Sequence, residues 1–529
     1  MSNYKNDFKN YYQKKEFKNP IMPGFYPDPS ICRVEDDYYL VTSSFAYFPG
    51  VPIFHSKDLV NWRQIGHVLD RPSQLDLAGH EQSQGIFAPT IRYHQGIFYM
   101  ITTNIRKGNF IVTSKDPAGS WSDPYWLDDA PGIDPSLFFD DDGRVYYCGN
   151  RNNPEGYRYN GDCEIYLQEL DLKEMKLVGD KHSLWRGALK TAIWPEGPHI
   201  YKKDGYYYLL IAEGGTGPDH AVTIARSESI TGPYQGFVKN PILTHRHLGN
   251  NYPIVNVGHG DFVKTQNDQW WMVVLASRPY GGYYRNLGRE TFLVPLIWED
   301  GWPVVCPGEG KISESYPYPD LPITPWPQES SCDNFDSDKL SEKWIFIRNT
   351  NFDNYDLKTR PGHLRLKLAK DKISEKGKPV FAAKRQQDIS FLISTSMEFS
   401  PEENEEAGIV LQQNHQYHYR YVVSGEKNEK FIKVIKCSEG KEELIAKAKY
   451  EKEKIYLKVE ADGQDLSFYY SDNSADFKIL AENLDARILS TDVAGGFVGT
   501  CLGLYASSNG VDSDNFADFD YFEYKGLDD

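Results

Sequence analysis

Before residue 315 the chain repeats one short pattern five times, a polar turn followed by an aromatic strand. The copies are "DDYYLVTS" from Asp36, "QGIFYMIT" from Gln95, "DGRVYYCG" from Asp142, "DGYYYLLI" from Asp204 and "NDQWWMVV" from Asn267. About eight residues before each turn lies another strand start: "DPSI" at Asp28, "APTI" at Ala88, "DPSL" at Asp134, "EGPHI" at Glu196 and "HGDFV" at His259. A third element often follows, an Asp/Ser/Gly turn closed by an aromatic, as in "SKDLVNW" (56–62), "SKDPAGSW" (114–121) and "SESITGPY" (227–234). Several short strands per unit, with a period near 50–60 residues, mark the blades of a β-propeller, so five units predict five blades.

The innermost strand of each blade lines the central channel. If the five starts are equivalent, Asp28, Ala88, Asp134, Glu196 and His259 form a ring at one end of it. Three carboxylates in one pocket raise one another's pKa, which suits acid–base chemistry better than structure. A protonated acid beside an ionised carboxylate is the requirement of glycoside hydrolysis. Glu196 lies in "IWPEGPH" beside Trp194 and Pro195, apolar neighbours that favour the proton-bearing form of an acid. Asp28, between Pro27 and Pro29 in "GFYPDPSI", has a short arm and a stiffened backbone, suited to a base that positions water. A proline after Asp28 predicts an extended conformation for it. "DDDG" (140–143) reads as a hairpin turn rather than a calcium loop. "GGTG" (214–217) lacks the lysine and the strand–helix context of a phosphate loop.

The 529-residue length calls for more than one core. Residues 316–327, "YPYPDLPITPWP", hold five prolines and predict a stiff connector between a catalytic domain over 1–315 and a second domain over 328–529. Past it, "GHLRLKL" (362–368), "KIYLKVE" (454–460) and "FADFDYFEY" (516–524) alternate apolar and polar residues, the pattern of half-buried antiparallel strands in a β-sandwich. The expected fold class is therefore all-β, a five-bladed propeller followed by a jelly-roll-like sandwich. A net charge of −17 argues against nucleic acid and anionic membranes as partners and leaves a neutral sugar open. The seven cysteines are odd in number, scattered and without a CxxC pair, which predicts buried free thiols. The first twenty residues, "MSNYKNDFKNYYQKKEFKNP", contain no apolar h-region, and no run approaches a membrane span, so a soluble cytoplasmic protein is expected.

"NPIMPGFYPDPSICRVEDDYYLVTSSFAYFPGVPIFHSKDLVNW", "GIDPSLFFDDDGRVYY", "WPEGPHIYKKDGYYYLL" and "NLGRETFLVPLIWEDGWP" together resemble glycoside hydrolase family 43, in its β-xylosidase and α-L-arabinofuranosidase branch. The resemblance spans nearly the whole chain. It implies a five-bladed propeller, an inverting single displacement and no required cofactor. It implies Asp28 as general base, Glu196 as general acid, and Asp134 as the carboxylate that tunes and orients the acid. It further implies Arg289 ("LGRETF") as a contact to the terminal sugar and Phe45 ("SSFAYFPG") as a pocket aromatic. His259 ("VGHGDF") matches a histidine at the channel centre, where some members hold Ca²⁺; with no carboxylate cage around it, such an ion would be reached through water. A sandwich loop closes the pocket in such enzymes, and Phe497 ("GGFVGT") is the candidate here. Relatives are often dimers or tetramers, so the resemblance implies a homo-oligomer. Two departures touch the pocket wall and bear on the preferred sugar. "GIFAPT" carries Phe87 where xylosidases of the branch carry Trp, and the stretch "SRPYGGYYRN" before Arg289 is short.

The expected function is exo-acting release of terminal xylose or arabinose from short oligosaccharides. Two readings compete. A non-catalytic glycan-binding propeller needs aromatic platforms but not three matched acids. A retaining fructosidase-type propeller calls for an N-D-P-N-G start and an E-C acid motif, where this chain has "YPDPS" and "PEGPH".

Overall fold

The computed structural model describes residues 15–189 and 191–528. Most of the N-terminal stretch read above for a leader, residues 1–14, lies outside the described residues. Five antiparallel sheets follow one another along the chain, each with its strands in sequential order. Blade 1 runs Ser30–Val34, Asp37–Val41, Gly50–Ser56 and Arg63–Leu69. Blades 2 to 5 begin with the inner strands Thr90–His94, Ser136–Phe139, Glu196–Lys203 and Val255–Lys264. Second strands such as Tyr206–Glu213 and Trp270–Ser277 carry the repeated aromatics and are buried along most of their length. That burial on both faces explains why the repeats read as continuous apolar runs. Asp140–Gly143 forms the hairpin turn of blade 3, and Asp140 is tied to Lys202 and Tyr207.

Ring closure uses the N-terminal segment. Asn19 exchanges two hydrogen bonds with Leu293, Met22 pairs with Thr291, and the Tyr26 amide donates to the Arg289 carbonyl. The chain thus runs beside blade 5 before entering blade 1.

The proline-rich 316–327 segment is not a free spacer. Ser315–Pro317 pairs with Glu16–Lys18, and Tyr316 and Leu321 are buried in the same core as blade 5. Thr324 then bonds Asp58 and Trp326 bonds the Asn61 carbonyl on blade 1. Proline removes donors but leaves side chains free to pack, and here they do.

The C-terminal domain is a sandwich of two sheets around a core that includes Trp344, Phe391, Tyr421 and Phe519. One sheet takes in a strand from the propeller: Tyr47–Phe48 pairs with Ile345–Ile347. Three residues upstream of that shared strand's end lies Phe45, packed with Phe25, Tyr47 and Phe381 in a cluster that spans both domains. The sandwich is therefore joined by backbone hydrogen bonds to the segment that walls the channel mouth. All seven cysteines are free, six of them buried. Among the described residues, no helix is long and apolar enough to cross a membrane.

Candidate active site

The repeat sets the site. Two residues before the inner strands of blades 1 and 3 stand Asp28 and Asp134, and both take a left-handed backbone, φ 55° and 53°. This corrects the extended conformation expected for Asp28. Pro29 excludes the right-handed helical region, and aspartate is among the residues that tolerate the left-handed one. Glu196 opens the inner strand of blade 4, where the register slips between Glu196 and His199. His259 also departs from expectation. It is not the first residue of its strand but a bulged one inside Val255–Lys264, since Gly258 and Gly260 pair with the adjacent Leu275 and Val274. Such a bulge turns a side chain inward. Gly197, at φ 55°, gives that ring its room, because a Cβ there would lie 2.8 Å from His259 Cε1.

The eight residues singled out from the sequence meet in one cavity of ≈ 70 Å³. Asp28, Phe45, Phe87, Asp134, Glu196, His259, Arg289 and Phe497 line it. Ala88, Ile133, Thr216 and His220 complete the lining. Thr216 comes from the "GGTG" loop and His220 from just after it; neither belonged to the repeat, so the strand arithmetic did not reach them. A groove of ≈ 710 Å³ adjoins the cavity and shares Ile133 and Glu196 with it. Exposed Tyr157 and Trp194 stand on its walls.

Charge is distributed unevenly over the three carboxyls. Asp28 receives Arg289 Nη1 at 2.7 Å and Nη2 at 3.3 Å, and the Ser43 hydroxyl at 2.6 Å. Its burial favours the protonated form, but Arg289, His259 and Ser43 outweigh it and hold the carboxyl below its usual range. Arg289 is thus clamped on Asp28, with its third edge left over: Nε is buried without a partner. Glu196 is pushed up to about 7 by burial first and by the Asp28 charge second. Asp134 is raised well above its usual range by burial, then by Glu196 and Asp28. Glu196 and Asp134 are thus both biased towards the protonated form, and Asp28 towards the ionised one.

The aromatic wall comes from three segments. Phe497 stacks on Phe45, with centroids 6.0 Å apart and planes 22° apart, and meets Phe87 edge-on at 6.1 Å. The Phe497 amide donates to Ser83 Oγ at 2.8 Å, fixing the sandwich loop to the propeller. Arg289 Cζ lies 5.6 Å from both the Phe45 and Phe497 rings.

A second polar layer, missed by the sequence reading, underlies the ring. Asp261, two residues past His259, accepts from Ser30 Oγ (2.7 Å), Arg92 Nη1 (2.8 Å), Tyr201 OH (2.5 Å) and the Ile31 amide (3.0 Å). Arg92 Nη2 also bonds His199 Nδ1 at 2.9 Å. These residues come from blades 1, 2, 4 and 5, so the cluster ties four blades together at the axis. The strand period signalled only part of it: Ser30 and Asp261 stand two residues past Asp28 and His259, one step deeper, whereas Arg92 and His199 stand four and three past Ala88 and Glu196.

Acids with pKa values driven apart, an arginine and an aromatic wall in a closed pocket are the equipment of a glycoside hydrolase. The comparisons agree. Residues 17–303 match the model for glycosyl hydrolases family 43, and 332–525 match the beta xylosidase C-terminal Concanavalin A-like domain. The chain belongs to glycosyl hydrolase family 43. It is 52% identical over 511 residues to a xylosidase/arabinosidase of Butyrivibrio fibrisolvens, covering 95% of this chain and 98% of the relative. It is 38% identical to a non-reducing end alpha-L-arabinofuranosidase of Bacteroides ovatus, over 97% of this chain and 96% of the relative. A solved structure, xylan beta-1,4-xylosidase from Bacillus halodurans, superposes with a TM-score of 0.90 at 36% identity, covering 96% of this chain and 100% of that one.

Proposed function

We propose that the protein is an inverting, exo-acting glycoside hydrolase that releases terminal xylose, arabinose or both from short oligosaccharides. The observation that carries this reading is the split between the carboxyls: Asp28 held ionised by Arg289, Glu196 raised to about 7. In the reaction, water attacks the anomeric carbon and Asp28 takes the water's proton. The glycosidic C–O bond breaks, and Glu196 gives its proton to the departing oxygen. One displacement leaves the new hydroxyl on the opposite face of the sugar. Asp134, a second buried carboxyl that interacts electrostatically with Glu196, orients the acid and tunes its proton affinity. The cavity holds the terminal sugar between Arg289 and the three phenylalanines. The leaving group extends past Glu196 into the wider groove, where Trp194 and Tyr157 offer faces for sugar rings. Xylopyranose and arabinofuranose present similar hydroxyls, and both sugars appear in the names of the relatives above.

Calcium does not fit beside His259. A hard cation asks for six to eight oxygen ligands. The groups near His259 are instead the Arg289 guanidinium, the imidazoles of His199 and His220, an Asp28 oxygen already held by Arg289, and Asp261, whose oxygens are taken up by Ser30, Arg92 and Tyr201. Among the described residues no group of three or more His, Cys, Asp or Glu could hold a metal, and no step is routed through one. A cytoplasmic location accords with seven unpaired thiols. Assembly as a dimer or tetramer enters through the family resemblance, and sedimentation velocity tests it.

The experiment is hydrolysis of an aryl β-D-xylopyranoside and an aryl α-L-arabinofuranoside, with the first-formed anomer followed by NMR. The inverted anomer is expected; retention overturns the single displacement, and inactivity on both overturns the substrate class.

A further inference from the structure

His220 stands immediately before the blade 4 strand Ala221–Ser227 and lines the cavity with Glu196, Thr216 and Arg289. Its ring is fixed from two sides. Nδ1 lies 3.0 Å from the Asn256 carbonyl oxygen. A carbonyl only accepts, so Nδ1 carries the hydrogen and Nε2 keeps a lone pair. The ring face lies on Gly258, where a Cβ would fall 2.4 Å from three ring atoms. No other residue could stand at 258 without displacing the imidazole. Nε2 is buried and has no hydrogen-bond partner in the protein. An acceptor left unmade inside a protein is costly unless a ligand completes it.

The rest of the cavity does not duplicate this acceptor. Asp28 is occupied by Arg289 and Ser43. Glu196 and Asp134 are both biased towards the protonated form and serve the chemistry. Arg289 can only donate, and its Nε is also without a partner. A hydroxyl donates one hydrogen bond and accepts others, so an unspent acceptor and an unspent donor together suit a polyhydroxylated ligand.

We propose that His220 is a specificity-determining residue whose Nε2 accepts a hydrogen bond from one particular hydroxyl of the sugar in the cavity. The inference rests on the reading of this cavity as a pentose pocket. Burial, with the neighbouring His259 and the Arg289 charge, holds the imidazole down to about 3 against the opposing pull of the Asn256 carbonyl, so Nε2 stays an acceptor throughout the range in which the enzyme would work. His220 takes no part in the proton transfers; it selects which sugar, and which orientation, is presented to Asp28 and Glu196.

The test is kcat/KM for an aryl β-D-xylopyranoside and its 2-, 3- and 4-deoxy analogues, with wild type, His220→Phe and His220→Gln. Losing one buried hydrogen bond is expected to cost the parent substrate roughly 10- to 100-fold in His220→Phe. The analogue lacking the recognised hydroxyl should lose nothing further in that variant, while the other two analogues lose as much as the parent. His220→Gln, which keeps an acceptor oxygen, should recover part of the loss. An equal loss across all four substrates, or none for the parent, overturns the proposal. Should His220→Phe not fold, the wild-type enzyme decides: the His220 Nε2 resonance in ¹⁵N NMR must move on adding xylose, and an unmoved resonance overturns it. If wild type cleaves the parent and only these contrasts fail, the pocket reading stands and the His220 assignment falls. If wild type cleaves only the aryl α-L-arabinofuranoside, the same contrasts are read on its deoxy analogues; if it cleaves neither pentoside, both fall.

Discussion

Two polar clusters sit one above the other in the same channel, on the same inner strands, and they behave oppositely. In the deeper one, Asp261 takes hydrogen bonds from Ser30, Ile31, Arg92 and Tyr201, and is held far below the usual carboxylate range because Arg92 and its other partners overcome burial. In the upper one, Glu196 is buried beside the Asp28 charge, and the nearby Arg289 offsets this only in part, so it is raised to about 7. Both carboxyls are surrounded by protein; what differs is whether partners were supplied. Full satisfaction makes a clamp between blades, and withheld satisfaction makes an acid that still carries its proton near neutrality.

The contrast can be broken by exchanging what each layer loses. The largest effect is expected in the upper layer. Glu196→Gln should lower kcat on an unactivated pentoside roughly 10²- to 10⁴-fold while sugar binding, read by calorimetry, persists. The same replacement should not weaken the fold. The raised Glu196 pKa means that the folded state holds a proton the unfolded chain releases, so this group costs nothing below its usual 4.5 and an increasing amount as pH rises through about 7. Glu196→Gln should thus melt higher than wild type at pH 8, by on the order of 1–3 kcal/mol, with the gain shrinking towards pH 5.

In the deeper layer the sign reverses. Asp261→Ala strands Arg92 without its carboxylate, and urea denaturation should show a loss of about 3–5 kcal/mol. A variant as stable as wild type would remove the clamp from the account.

The boundary between the layers can be sharpened by pH. With Asp134 present, the last proton of the Glu196–Asp134 pair leaves against the repulsion of a second charge; Asp134→Asn removes that repulsion, so the alkaline limb of kcat/KM should move to lower pH. An alkaline limb that does not move leaves Asp134 with an orienting role alone. The smallest effect is expected at the rim, where Phe497→Ala opens the aromatic wall. We expect KM to rise about fivefold, in line with the loss of roughly 1 kcal/mol of ring contact, and kcat to change little.

The upper layer was legible because it coincides with a repeat. Asp28, Asp134 and Glu196 stand at matching places in a pattern visible along the chain, and the family motifs extended that reading to Arg289, His259 and the phenylalanines. The deeper layer was hidden because Ser30, Arg92, His199 and Asp261 are different residue types at unequal offsets from the matched strand starts; only their pairing in three dimensions gives them a common meaning. His220 and Thr216 come from a loop outside the repeat. The shared strand at Tyr47–Phe48 was hidden for another reason: two residues of aromatic sequence carry no periodicity, and their partner lies about 300 residues away at Ile345–Ile347. The left-handed backbone at Asp28 went against the usual preference before proline, and the same conformation at Asp134 and His259 ties it to the site.

The central claim is that Glu196 is the acid that protonates the leaving oxygen, and one measurement addresses it most directly. It is the pH dependence of kcat/KM for wild type and Glu196→Gln, each with a 4-nitrophenyl and a 2,4-dinitrophenyl pentoside, the latter leaving without need of a proton. The account predicts that wild type loses activity above about pH 7 on the poorer leaving group, and that Glu196→Gln lacks this alkaline limb and retains far more of its activity on the dinitrophenyl substrate. Equal losses on both substrates, with the alkaline limb still in place, would contradict it.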